Sequence, residues 1–89
     1  MEIKVKNITS SNGNSIPNQF IIRTPEGTYF QSYDSIIAVK KTSGKICLDE
    51  TYWDYSQTTG KYRNQFLGES KRDTEKNIKE GIYKLSNLN

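Results

Sequence analysis

The chain has no histidine, one cysteine and two prolines among 89 residues, and its mean hydropathy is −0.82. Each shortage excludes something. Without histidine the commonest general base and the commonest transition-metal ligand are missing, so no serine–histidine or cysteine–histidine pair can form. The single thiol, Cys47, precludes an intramolecular disulfide and fits a reducing compartment. No apolar run approaches the roughly 18–20 residues of a membrane-spanning helix. The N-terminal MEIKVKNI lacks the apolar centre of a secretory signal. Neither GxGxxG nor GxxxxGK[ST], the glycine patterns that cradle phosphate, occurs. These absences lead us to expect a cytoplasmic protein that is not an enzyme, holds no cofactor or metal, and has no membrane partner.

What the chain does have is aromatic. One tryptophan, six tyrosines and three phenylalanines supply large buried area where aliphatics are scarce. At this length there is room for one domain, 1–89, with one core.

The first half reads as strands. Ile3, Val5 and Ile8 are interleaved with Glu2, Lys4 and Lys6, close to the period-2 pattern of a half-buried strand. Thr9–Ser15 (TSSNGNS) is a run of turn formers, giving a flexible loop over 9–16. Gln19–Thr24, Thr28–Tyr33, Ile36–Lys40 and Lys45–Leu48 then alternate with short breaks at Pro25–Gly27, Asp34-Ser35 and Thr42–Gly44. Connections this short join antiparallel neighbours.

From Thr51 the spacing turns helical. Thr59, Tyr62 and Phe66 share one face, Ser56 or Asp54 suits the N-cap, and Gly68 suits a left-handed stop. A second helix is expected over Lys71–Glu80, capped by Ser70, ended by Gly81 and anchored only by Ile78. Ile82, Tyr83, Leu85 and Leu88 make a terminal edge strand or a packed coil. The expected fold is α+β: an antiparallel meander of four to five strands, then two short helices packed on one face.

Charge is unevenly placed along the chain. Residues 1–60 hold six basic and six acidic side chains, whereas 61–89 hold seven basic and four acidic ones. The basic set Lys61, Arg63, Lys71, Arg72, Lys76 and Lys79, near several tyrosines, makes nucleic-acid binding one reading, because rings stack on bases while cations neutralise phosphates. The other is protein-partner binding through Tyr52, Asp54, Tyr55, Thr58, Lys61 and Arg63. A minimal enzyme or small-ligand binder would use Asp49, Glu50, Asp54 and Lys61, although strand-end and cap roles explain these acids. Cys47 lies on the opposite strand face from Ile46 and Leu48 and reads as small filler.

Ser32–Ser70 resembles a signature of small uncharacterised proteins from tailed phages and prophages, SYxSIIA…LDxxYWDYSxTTxKYxxxFLG. The matching positions are Ser32-Tyr33, Ile37-Ala38, Leu48-Asp49, Trp53–Ser56, Thr58-Thr59, Lys61-Tyr62 and Phe66–Gly68. The resemblance implies a domain of unknown function of mobile-element origin, expressed in a bacterial cytoplasm. The leading expectation is a non-catalytic binder of a host protein, with anti-defence inhibition of the anti-CRISPR kind as one form. Nucleic-acid binding is the alternative.

Overall fold

The computed structural model describes residues 3–10 and 12–89. The expected contribution of Glu2 to the first strand, and of Ser11 to the 9–16 loop, lies outside them. Among the described residues six strands form one sheet in sequential order: β1 (Lys4–Thr9), β2 (Ser15–Thr24), β3 (Gly27–Ser32), β4 (Ser35–Lys41), β5 (Ile46–Asp49) and β6 (Tyr83–Ser86). Two helices, α1 (Gln57–Leu67) and α2 (Lys71–Lys79), lie between β5 and β6 in the chain. The α+β class and the meander through β5 are as expected. Two features differ. The sheet has six strands rather than four to five, and β6 pairs parallel with β5. Parallel neighbours need a crossover of a dozen or more residues, and the helical segment supplies it.

The 9–16 loop narrows to a turn. Thr9 pairs with Ser15, and Ser10 and Gly13 close the turn through backbone bonds of 2.8 and 2.9 Å. The Asn7 side chain also donates to the Ile16 carbonyl at 3.0 Å. At the next turn the Thr24 hydroxyl accepts the Glu26 and Gly27 amides, each at 3.2 Å. Gly27 is required there, because a Cβ would stand 2.6 Å from the Lys40 carbonyl oxygen on the neighbouring strand.

Ser56, not Asp54, caps α1, its hydroxyl accepting the Thr59 amide at 3.1 Å. Gly68 ends α1 at φ 71°, where a Cβ would be strained. Ser70 caps α2. α2 is anchored by more than Ile78: Thr74 is fully buried, its hydroxyl donating to Glu69 at 2.7 Å. α1 packs on β3 and β4, and α2 packs beside β6.

The core is a layer between sheet and helices. Ile8, Phe30, Ile37, Ala38, Leu48 and Tyr83 from the strands meet Tyr62 and Phe66 from α1, with the Phe30 and Phe66 rings 5.8 Å apart. A shift in the β3–β4 register after Phe30 inserts Ile37 into this layer. Gln19, fully buried opposite Ser32, has neither amide atom bonded among the described residues.

On the reverse side a second row crosses the sheet. Val5, Ile22, Tyr29, Val39 and Cys47 are register partners on five successive strands. Strand alternation points them away from Phe30, Ala38 and Leu48. Val39 and Cys47 are buried yet lie outside the core cluster. The fold extends only 20 Å along its short axis, the depth of one sheet and one helical layer.

Candidate functional site

The aromatic segment from Leu48 to Gly68 is organised around two buried charges. Asp49 ends β5 and is 1% exposed. One of its carboxylate oxygens accepts the Thr51 and Tyr52 amides at 3.0 and 2.8 Å. The other accepts the Leu88 amide at 2.8 Å and the Asn89 side-chain amide at 2.9 Å. Burial pushes this carboxyl upward, but the four donors outweigh it and hold it below the usual carboxylate range. Asn89 also closes a two-bond clasp with the backbone of Ile36, at 2.7 and 3.0 Å. Asp49 therefore ties the β5 end to the C-terminal residues.

Arg63 on α1 is likewise 1% exposed. Its guanidinium donates to the Trp53 carbonyl at 2.7 Å, to Asp54 at 3.2 Å and to Asn64 at 3.0 Å, and lies over the Trp53 ring at 5.3 Å. Asp54 is shared with Lys71 at the start of α2, 2.8 Å away. The Lys71 bond chiefly, with help from Arg63 against some burial, lowers the Asp54 carboxyl, and Asp54 in turn raises the Lys71 amine. Ser56, Gln57, Gly60, Lys61 and Asn64 border a shallow depression beside this group. The network fixes the β5–α1 connection and the α1–α2 corner.

Of the partner-binding residues expected from the sequence, Tyr55, Thr58 and Lys61 are exposed and Tyr52 is half-buried. The Tyr52 and Tyr55 rings meet edge-on at 5.6 Å. Arg63 is a correction: it is buried and engaged, so it presents nothing to a partner. The same holds for Arg63 in the nucleic-acid set. Lys71 belongs to the Asp54 ion pair, while Arg72, Lys76 and Lys79 are exposed at helical spacing along one face of α2. The basic set is thus divided, with one member inside the fold. The small-ligand grouping also separates: Asp49 and Asp54 are structural, and Glu50 and Lys61 are exposed. Among the described residues no three of Cys, Asp and Glu gather as a metal site, and no helix is long and apolar enough to cross a membrane.

The sequence reading overlooked the reverse face of the sheet. Val5 is 60% exposed there, and Ile22, Tyr29, Phe20 and Ile36 are half-buried. The signal was available in the apolar runs Phe20–Ile22, Tyr29-Phe30 and Ile36–Val39. Consecutive apolar residues in a strand place apolar groups on both faces, whereas simple alternation places them on one.

Comparison with known proteins places the chain in a family. The model described as "Family of unknown function (DUF8033)" matches residues 3–83, and the chain belongs to that family. The expectation of an uncharacterised domain family therefore holds. No curated protein and no solved structure matches the chain.

Proposed function

We propose that the chain is a non-catalytic binding module that holds a protein partner against the reverse face of its sheet. The observation that carries this is the row Val5, Ile22 and Tyr29, flanked by Phe20 and Ile36, on the side that neither helix covers. An apolar surface of that kind gains free energy when a partner removes it from water. The absence of histidine, and the engagement of Asp49, Asp54 and Arg63 in structural bonds, support a role without catalysis. The phage-like signature over Ser32–Ser70 supports a host protein as the partner, in a bacterial cytoplasm, with inhibition of a defence system as the outcome. Affinity capture of the full chain from bacterial lysate tests the reading. A protein recovered in stoichiometric amount is expected, and recovery of none retires it.

A second reading, nucleic-acid binding, is favoured by the exposed line Arg72, Lys76 and Lys79 on α2. With three such contacts to a single strand, the logarithm of affinity would fall against the logarithm of salt with a slope of about −2. Binding that ignores salt would eliminate it.

A further inference from the structure

The basic residues that balance the acids in a count along the first 60 positions gather on one face of the sheet. Lys4 and Arg23 are register partners on β1 and β2, and Lys40 continues their row on β4 through Thr28. Lys6 lies one row further on, opposite Ile21. These positions share the helix-side face, since Lys40 lies 4.6 Å from the Phe66 ring. Successive depressions follow β1 and β2: the first and second share Lys6 and Ile21, the second and third share Lys4 and Arg23. Among the described residues no acidic side chain lines any of them. Among the described residues Lys6 and Arg23 form no ion pair.

This groove borders an edge. Among the described residues β1 is the outermost strand, bonded within the sheet only to β2. Lys4 and Lys6 point to the helix side of that edge and Val5 to the reverse side, by strand alternation. A register shift after Asn7 ends the regular edge. Lysine on an edge strand discourages indiscriminate pairing, which would explain Lys4 and Lys6. It does not explain Arg23 or Lys40, which extend the charge inward on strands that already have partners.

We propose that the β1 edge accepts a short extended segment of an acidic protein, which adds as a seventh strand. Its acidic side chains alternate with apolar ones. The acids stand next to Lys6 on β1 and reach past Lys4 toward Arg23 on β2, and the apolar groups stand next to Val5 on the reverse face, with Ile22 one strand further in. Backbone bonding supplies affinity, and the alternation supplies selectivity. A second copy of this chain is disfavoured, because two-fold antiparallel pairing of β1 with itself sets lysine against lysine. The proposal rests on the protein-binding reading and names the chemistry of its partner.

The test uses the full chain and a fluorescent heptapeptide of alternating glutamate and valine. Binding is expected, with the largest backbone amide shifts at Lys4–Asn7. Arg23→Glu, an exposed substitution checked for fold by circular dichroism, should weaken binding about tenfold. Lys6→Glu with Arg23→Glu should transfer preference to a peptide of alternating lysine and valine. Undetectable peptide binding, no response to the charge exchange, or tighter binding of oligothymidine in the same groove would each overturn the proposal. If the peptide fails while capture from lysate still yields a stoichiometric protein, only the edge site falls. If both fail, the protein-binding reading falls with it.

Discussion

The two sides of the sheet come from the same strands, one residue apart, and use their apolar side chains oppositely. On the helix side Phe30, Ala38 and Leu48 vanish beneath α1 together with Tyr62 and Phe66. On the reverse side Val5, Ile22 and Tyr29 retain contact with solvent. The helix side also receives conspicuous residues of the sequence, the tryptophan, Asp54 and Arg63, and uses them to fasten the β5–α1–α2 corner. The difference teaches that density of aromatic and charged residues marks where a small domain is assembled. In the proposed reading, the surface for a partner is marked more quietly, by apolar residues at the wrong parity.

Substitutions can sharpen or break that contrast. The largest loss is expected at Phe66→Ala, which empties a buried ring site against Phe30 and should cost about 3–4 kcal/mol in chemical denaturation. Asp49→Ala follows at about 3 kcal/mol, because three backbone amides and the Asn89 amide lose their acceptor. The Asp49 carboxyl is lowered in the folded state, so its contribution is present above about pH 4 and lost as pH falls through the lowered value. Acid titration of the wild type should show that loss, and the alanine variant should show less of it.

A smaller effect belongs to Tyr83. Burial first, then the hydrogen bond to Glu69, pushes its phenol up to about 12. The raised value stabilises the fold below about pH 10, where the unfolded phenol titrates, and that stability is lost as pH rises toward 12. Tyr83→Phe should flatten the alkaline limb of the stability curve. The smallest effect is expected at Ile22→Thr on the reverse face, about 1 kcal/mol or less by thermal melting. A loss there equal to that at Phe66 would erase the distinction between the two sides.

Much of the framework was legible in the sequence. Gly27, Ser56, Gly68 and Ser70 carry turn and cap chemistry that is local, and local rules place them. Tyr62 and Phe66 at helical spacing likewise identified the docking face of α1. The parallel pairing of β6 was not legible, because it depends on how the helices carry the chain back across the sheet. The burial of Arg63 was missed for a related reason: its acceptors, Trp53 and Asp54, come from a preceding turn whose course no periodicity reveals. The basic groove was hidden by arithmetic. Charges balanced along residues 1–60 are sorted by strand register, which brings Lys4, Arg23 and Lys40 into one row.

The central claim, that the reverse face binds and the aromatic segment builds, is tested most directly by a paired capture experiment. One variant carries Ile22→Asp with Tyr29→Asp on the reverse face; the other carries Tyr55→Ala with Lys61→Glu on the exposed side of the aromatic segment. Both are compared with the wild type in the same bacterial lysate, after circular dichroism has established equal folding. Loss of the captured protein in the first variant and its retention in the second is the predicted result. Retention in the first with loss in the second would contradict the account and return the binding surface to the aromatic segment.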